Sequence, residues 1–423
     1  MNRLIKFFLV SIIACAYLNA ASVSIVYDTP GHFLYGGGYT AVPTDPNDAM
    51  FVLAASNLVI DLGGNVFSQD PSSLGVPGFK GFVIAPGVQN VTIQNGIIAG
   101  FTGTGIFVSD GCDQIFFNNV TSAFCTDAGI AMVGTTSGIT NVKIQNCFVN
   151  DVLSSDGAAA HGISCINAER IAIQDCIFEI SSLVPSATGA GIYLENVGGF
   201  QLERCQSVQQ TASQLSAGIL CKNCNVGIMN ECIVYSSSTI SGDGSDVAAG
   251  YFLDGCTRTI LSGCQSAFSL ASTGTCHAFF SQNGQKNSFN GCLGQSNIGF
   301  AGACGIHLVN ELKTTIQNTV IRETISTTGT ANGIKLGDGS ANCYIHGNTV
   351  LDTEGVYSFG IADSAVNSSS LFTHNVSFNN VVNFAINYAG GVTLPVIEGS
   401  LSSSTPGLPT NTGGLLDNVG VNP

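Results

Sequence analysis

Short apolar segments with alternating hydrophobic and polar positions recur along most of this chain. Gly162-Ile-Ser-Cys-Ile-Asn is one such segment, and a second alternating segment runs from Ile171 to Cys176. A period of two is typical of a β-strand with one buried face. Gly, Asn, Asp and Ser, which favour turns, separate the segments. The pattern therefore predicts units that contain two or three short strands each.

The unit repeats every 27 to 32 residues, and in most copies a Cys follows the first residue by 14 positions. Self-similarity at such a period predicts a solenoid. A unit of this length with short strands predicts one turn of a parallel β-helix, stacked about 4.8 Å from the next turn. We call the first residue of each copy the landmark. The landmarks are Gly162, Gly191, Gly218, Gly250, Ala278 and Gly305.

The repeat predicts an all-β chain, with a single-stranded parallel β-helix of about ten or eleven rungs over residues 51–400. Residues 21–50 are irregular and rich in Gly and Pro, so we expect an N-terminal cap there. Residues 401–423 are expected to form a C-terminal cap or a mobile tail.

Residues 1–20 have the pattern of a secretory signal peptide, because Arg3 and Lys6 precede a short apolar core. The chain is therefore expected to be exported, whether secreted, periplasmic or attached to the cell surface. Ile12-Ile13-Ala14-Cys15 also resembles a lipoprotein box, so a lipid anchor at Cys15 is an alternative. No later segment is apolar over a length that would span a bilayer.

The net charge argues against two classes of partner. The chain has a formal charge of −15 and contains only 12 Lys and Arg residues. Nucleic acid binding requires clustered basic residues against phosphate, and capture by anionic lipids requires the same. We therefore expect no nucleic acid partner.

Sixteen cysteines in an exported chain would ordinarily suggest disulfides. Their spacing favours a different interpretation, because one Cys per unit recurs at the same place and would form a column of small buried thiols. Side chains on successive rungs run parallel and do not point at each other, so we expect this column to be mostly reduced. Its members are Cys147, Cys176, Cys205, Cys232, Cys264 and Cys292.

The repeat, the Cys column and the segment from Asn57 to Asn65 (Asn-Leu-Val-Ile-Asp-Leu-Gly-Gly-Asn) together resemble a known family. Over residues 55–380 the chain is similar to secreted right-handed parallel β-helix proteins of the pectate lyase-like superfamily. That superfamily includes pectate lyases, polygalacturonases, epimerases and phage tailspikes. The polygalacturonase motifs are incomplete here, at Ala160-His161-Gly162 and Arg170-Ile171-Ala172, so the resemblance implies the fold and leaves an enzymatic activity open.

Stacking predicts which polar side chains meet on the outer face. The fourth residue after three successive landmarks is Glu195, Lys222 and Asp254, so these side chains should lie on successive rungs. The two carboxylates would be about 9.6 Å apart at the backbone, near the separation used by inverting glycosidases. Glu195 and Asp254 are therefore the candidate catalytic pair. The alternative is a surface ion triplet of little energetic value.

The second residue after each landmark is also expected to face outward, and several of these residues are aromatic. Tyr193, Phe252 and Phe280 are candidates for stacking on sugar rings. The alternative is that they pack beneath corner loops formed by residues 181–189 and 236–249. With Lys222, Gln282 and His307, which lie in the same two columns, they complete the candidate ligand-binding set.

The fifth residue after the landmark is usually Asn, which predicts a structural ladder of side-chain amides at a turn. The histidines, by contrast, have no metal-ligand spacing along the chain, so we expect no metal site and no cofactor. The histidines considered are His161, His277, His307, His346 and His374.

Three functions remain open from these patterns. The first is binding of an extracellular polysaccharide along the outer face. The second is a polysaccharide lyase or glycoside hydrolase that uses Glu195 and Asp254. The third is a structural or adhesive surface protein with a protein partner, and the oligomeric state is not determined by the sequence.

Overall fold

The computed structural model describes residues 24–41, 48–70, 77–154, 157, 159–180, 188–240, 246–365, 369–380, 382–386, 397–398 and 419–421. The expected signal peptide, Cys15 and most of the expected C-terminal tail lie outside these ranges. In the described ranges the chain forms 41 strands in one continuous sheet and no helix. No helical segment there could cross a lipid bilayer.

The stack begins earlier than the sequence predicts. Ile25 pairs with Phe51 and Gly31 pairs with Leu58, so residues 25–41 form a first turn instead of the expected irregular cap. Short strands can pair here because apolar positions match those of the next turn. The strands of this part are β1 (Ile25–Tyr27), β2 (Gly31–Leu34), β3 (Tyr39–Ala41), β4 (Ala49–Leu53), β5 (Leu58–Asp61), β6 (Val66–Gln69), β7 (Lys80–Ile84), β8 (Gln89–Ala99), β9 (Ile106–Val108), β10 (Asp113–Ala123), β11 (Ala128–Val133), β12 (Ile139–Gln145) and β13 (Phe148–Asn150).

The central part holds the most regular copies of the repeat. Ile163 lies opposite Ile192, which in turn lies opposite Ile219, and all pairs are parallel. The strands are β14 (Ala159–Gln174), β15 (Ile177–Glu179), β16 (Thr188–Glu203), β17 (Gln206–Val208), β18 (Thr211–Ala212), β19 (Leu215–Lys222), β20 (Asn225–Asn230), β21 (Ile233–Tyr235), β22 (Ser238–Thr239), β23 (Val247–Asp254), β24 (Thr257–Ser262), β25 (Gln265–Ala267), β26 (Leu270–Ala271), β27 (Thr275–Gln282), β28 (Ser288–Asn290) and β29 (Leu293–Gly299).

The C-terminal part continues the stack with the same parallel register. Ile306 lies opposite Ile334, which lies opposite Ile361. The fold is a right-handed parallel β-helix, as expected, with about 12 turns instead of ten or eleven. The remaining strands are β30 (Gly302–Val309), β31 (Thr315–Gln317), β32 (Val320–Ser326), β33 (Thr330–Leu336), β34 (Tyr344–His346), β35 (Thr349–Glu354), β36 (Tyr357–Asp363), β37 (Leu371–Thr373), β38 (Val376–Asn380), β39 (Val382–Ile386), β40 (Ile397–Glu398) and β41 (Val419–Val421).

The cysteine column lies inside the helix, and none of the 15 cysteines in the described ranges is bonded to another. Each thiol of the column donates a weak hydrogen bond to the carbonyl two residues earlier, as Cys176 does to Gln174 at 3.2 Å. Thr319 continues the column and its hydroxyl makes the same contact with Gln317 at 3.1 Å. The position therefore accepts a small side chain with a hydrogen-bond donor, and Thr319 takes it after six successive cysteines.

The Asn column forms the predicted turn ladder. Its members adopt left-handed backbone conformations, which Asn tolerates better than most residues. The amide of Asn196 donates to the side chain of Asn167 at 2.9 Å, and that of Asn310 donates to Asn283 at 3.0 Å. Gly255 takes the Asn place on one rung with a φ of 65°. The left-handed members are Asn167, Asn196, Asn223, Asn283 and Asn310.

Candidate functional site

The candidate site lies on the outer face of β16, β19, β23, β27 and β30, around the landmark of each rung. The parallel ladder pairs the residues on both sides of the landmark and omits the landmark itself. A Cβ added to Gly191 would lie 2.0 Å from the Ser207 hydroxyl in the core, so a side chain does not fit there. The strand is therefore locally irregular at the landmark, and the Cβ position of the landmark points into the core. We call this irregularity the break.

This break changes which side chains share the outer face. In a regular strand, residues three positions apart point to opposite faces. Here the residue before the landmark and the second residue after it meet outside the helix. The ring centroids of His277 and Phe280 are 4.6 Å apart and stacked. His161 stacks on Tyr193 of the next rung at the same distance.

The outer aromatic column, which we define as Tyr193, Leu220, Phe252, Phe280 and His307, follows the predicted register from rung to rung. Its members differ in exposure. Phe252 is 8% exposed and Leu220 is 5% exposed, whereas Tyr193, Phe280 and His307 are half-buried.

The buried members form a small apolar cluster outside the main core, together with alanines of the column before the landmark. Phe252 stacks face to face on Phe280 with centroids 4.8 Å apart. The expectation that Phe252 offers its face to a ligand does not agree with this burial. Phe252 instead packs against one face of the Phe280 ring. The alanines are Ala190, Ala217 and Ala249. The corner loops expected at 181–189 and 236–249 lie partly outside the described residues.

The polar row, which we define as Glu195, Lys222, Asp254 and Gln282, stacks in register on four successive rungs. The Lys222 ammonium lies 3.2 Å from the Glu195 carboxylate. The Tyr193 hydroxyl donates to the other oxygen of Glu195 at 2.6 Å. The hydrogen bond from Tyr193, helped by Lys222, lowers the pKa of Glu195.

A carboxyl with a lowered pKa is ionised at neutral pH, which suits an acceptor of hydrogen bonds better than a general acid. Asp254 has a different surrounding. Its Oδ1 accepts from the Asn283 amide at 3.0 Å, because Gly255 leaves no amide on its own rung for Asn283 to contact. Over the described ranges the ion pair of Lys222 is with Glu195 and does not include Asp254. The expected triplet is therefore an ion pair beside a separate carboxylate.

One group near this face was missed by reading the sequence. His277, Cys304 and His307 each offer a possible metal-ligand atom, and the three atoms lie within 4.8 Å of one another. The histidines lack metal-ligand spacing along the chain. In the folded protein, however, two of them lie close enough to a cysteine to share a metal ion. The signal was present in the column before the landmark, where Cys304 lies opposite His277.

Burial controls the charge of these groups. Desolvation lowers the pKa of His277 well below its usual value, with help from the positive charge of Lys335. Desolvation likewise lowers the pKa of His307 to about 3. Burial raises the pKa of the Cys304 thiol to about 11. Both imidazoles are therefore neutral at pH 7 and have lone pairs available for a cation.

Comparison with known proteins gives similarity at the level of fold. No protein family and no curated protein sequence matches the chain. A solved structure of PfbA, a surface adhesin of Streptococcus pneumoniae, is 12% identical, with 79% of this chain and 86% of that chain covered and a TM-score of 0.48.

Tailspike protein 3 of bacteriophage CBA120 is 13% identical, with 92% of this chain and 57% of that chain covered and a TM-score of 0.42. A mannuronic acid specific polysaccharide family 6 lyase from human gut microbiota is 12% identical, with 84% and 83% covered and a TM-score of 0.34. At these identities the similarity concerns the fold alone. The solved structures that resemble this chain are right-handed β-helix proteins.

Proposed function

We propose that this protein binds an extracellular polysaccharide along the polar row and the exposed edges of the outer aromatic column. The observation that carries the proposal is the stacked row of Glu195, Lys222, Asp254 and Gln282, which presents hydrogen-bonding groups at the spacing of the rungs. An extended chain with hydroxyl groups at regular intervals is the ligand that such a row fits. The half-buried rings of Tyr193 and Phe280 supply apolar contact beside it.

The state of Glu195 argues against one role in hydrolysis, that of the general acid. An inverting glycosidase needs one carboxyl with a raised pKa to protonate the leaving group. The hydrogen bond from Tyr193 and the charge of Lys222 shift the pKa of Glu195 in the opposite direction. Glu195 is therefore suited to accept hydrogen bonds from sugar hydroxyls. A lyase or hydrolase activity and an adhesive role with a protein partner become outcomes of the test.

The test uses a panel of neutral and acidic polysaccharides, with retention of the protein and the appearance of new chain ends recorded together. Tyr193→Leu is a variant that the fold should tolerate, because Leu220 occupies the same column on the next rung. Tyr193→Leu and Gln282→Ala, made separately, should each weaken retention at least tenfold, which corresponds to about 1.4 kcal/mol. The control is Lys313→Ala, at an exposed lysine away from the row.

Each outcome has a definite meaning. Retention that falls in Tyr193→Leu and in Gln282→Ala but not in the control supports the proposal. Cleavage of a polysaccharide would replace it with an enzymatic function. No retention across the panel, or equal retention by all variants, would reject it and favour the protein-binding alternative.

We also propose that the chain is exported, as its first 20 residues suggest. The measurement is mass spectrometry of the protein from the culture medium and from the membrane and soluble fractions of the producing cells. A mature chain that begins at Ala21 supports a secretory signal peptide. A lipid-modified chain that begins at Cys15 supports the anchor instead, and an intact Met1 would contradict both.

A further inference from the structure

His277, Cys304 and His307 form a cluster that the proposed polysaccharide site does not use as a unit. His277 lies in β27, and Cys304 and His307 lie in β30, the next strand of the stack. The ladder places Cys304 directly opposite His277. His307 joins them because the break at the landmark turns its ring toward His277, and the two ring centroids are 5.2 Å apart.

One ring nitrogen of each histidine in this cluster lacks the partner that buried polar atoms ordinarily have. Nδ1 of His277 and Nδ1 of His307 are buried and make no hydrogen bond with any residue in the described ranges. His277 is 4% exposed, so water does not readily satisfy it. An unsatisfied buried polar atom carries a free-energy cost, and a bound ion or water molecule is one way in which proteins offset that cost.

We propose that His277, Cys304 and His307 bind a zinc-type divalent cation on the outer face of the helix. Two imidazoles and one thiolate form a set of nitrogen and sulfur donors that zinc prefers, whereas calcium and magnesium require oxygen ligands. Three protein ligands leave a fourth position for water or an external group, as in zinc sites that are not purely structural. Of the three residues, His307 is the one that is only half-buried, so it is the side of the cluster nearest to solvent.

The distances in the cluster are compatible with this assignment after a small adjustment. Tetrahedral zinc with its usual bond lengths places donor atoms about 3.4–3.6 Å apart. The donor atoms here lie within 4.8 Å, so closure requires each to move by about an ångström or less, which side-chain rotation provides. The amide of Asn332 lies 3.6 Å from the Cys304 sulfur and can support it from outside the coordination sphere.

The charges near the cluster have opposing effects on the binding of a cation. Both imidazoles are already neutral, so no proton must leave them. The thiol of Cys304 loses its proton to solvent when the sulfur–metal bond forms, so binding releases one proton. The ammonium of Lys335 favours the thiolate and lowers the pKa of Cys304, although burial has the larger effect. The same ammonium repels the incoming cation, and this repulsion limits the affinity.

The fold supplies variants that remove one ligand without disturbing packing. Ala249 occupies the position of His277 on the preceding rung, so His277→Ala and Cys304→Ala place a residue that this column already contains. A matched control removes a buried thiol elsewhere. Cys292→Thr is suitable because Thr319 occupies that column on the following rung.

The experiment titrates tag-free, reduced protein with Co²⁺, follows the thiolate-to-cobalt charge-transfer band, and then displaces cobalt with Zn²⁺. We expect one equivalent to bind with this band in the wild-type chain and in Cys292→Thr. Cys304→Ala should lose the band, and His277→Ala should bind at least about 100-fold more weakly, because a two-ligand site remains. Far-UV circular dichroism confirms that each variant is folded.

Two results would overturn the assignment. One is the absence of the charge-transfer band from the folded wild-type chain at saturating Co²⁺. The other is its persistence in Cys304→Ala, which would place the cation on another cysteine. The readout is spectroscopic and independent of glycan retention, so this proposal and the proposed function fail separately.

Discussion

The interior of each rung contains a pair of positions that share one space, and this pairing predicts the effect of a double substitution. A Cβ added to a landmark Gly would strike the residue 16 positions later, on the facing wall of the same rung. On one rung the sizes are exchanged, because the landmark is Ala278 and the facing residue is Gly294. The rungs with a small landmark and a larger facing residue include Gly191 with Ser207, Gly218 with Val234, Gly250 with Ser266 and Gly305 with Ile321.

We expect Gly250→Ala to destabilise the protein by about 2–3 kcal/mol, the upper part of the range for overpacked cores. The new Cβ would lie 2.0 Å from the Ser266 hydroxyl, 2.6 Å from its Cβ and 2.6 Å from the carbonyl oxygen of Ala278. Ordinary contact requires about 3.4 Å or more, so the Ser266 hydroxyl must rotate away and the facing residues must still move by nearly an ångström.

Exchange of the two residues should relieve the side-chain part of this overlap. Ser266→Gly alone should cost about 0.5–1 kcal/mol, because Gly gains more freedom in the unfolded chain. The double variant Gly250→Ala/Ser266→Gly reproduces the arrangement of Ala278 and Gly294 on the next rung. It should therefore be more stable than the sum of the single changes by at least about 1 kcal/mol, with the carbonyl contact left as the residual cost.

The assay is urea unfolding followed by far-UV circular dichroism, since the chain contains no Trp for fluorescence. All four proteins of the cycle are compared at the same temperature, and equal m-values are required for a valid comparison. Strict additivity of the two single effects would refute the shared-space argument. A Gly250→Ala variant with unchanged stability would refute it as well, because the facing residues would then have moved at no cost in free energy.

Three further predictions concern single positions. Glu311→Gln should cost about 1–3 kcal/mol in urea unfolding, because the buried carboxylate accepts four hydrogen bonds and the Gln amide would face donors; an unchanged midpoint would contradict this. Cys292→Thr should change stability by less than about 1 kcal/mol, since Thr319 makes the equivalent contact; a larger loss by the same assay would show that the column distinguishes sulfur from oxygen. Because its pKa is lowered in the folded state, Glu195 contributes stability above its unfolded pKa, and that stability is lost as the pH falls through the folded pKa. Tyr193→Phe should raise the pKa of Glu195 in an NMR titration, and an unchanged value would show that the hydroxyl does not set it.

The sequence alone was sufficient for the fold and for the register of the outer columns. A parallel stack converts a constant interval along the chain into contact between neighbouring rungs, so the Asn ladder, the thiol column and the polar row were predictable by counting. Lys222 lies opposite Glu195 and Asp254 for this reason. The turn residues reinforced the count, because Asn tolerates the left-handed backbone that each corner requires.

Residues 25–41 were harder to assign, because their strands contain only three or four residues each. A strand that short has too few positions for its alternation to be distinguished from a loop. Pairing with the next turn, which the sequence does not display, makes them part of the stack.

The break at the landmark was decided only in the tertiary structure. Counting with a period of two assigns His277 and Phe280 to opposite faces, yet their rings stack because the landmark between them points into the core. The same break brings Cys304 close to His307. It also buries Phe252 against the alanines that directly precede the landmarks. Alternation describes a strand that is regular along its length, whereas the space inside each rung determines where that regularity ends.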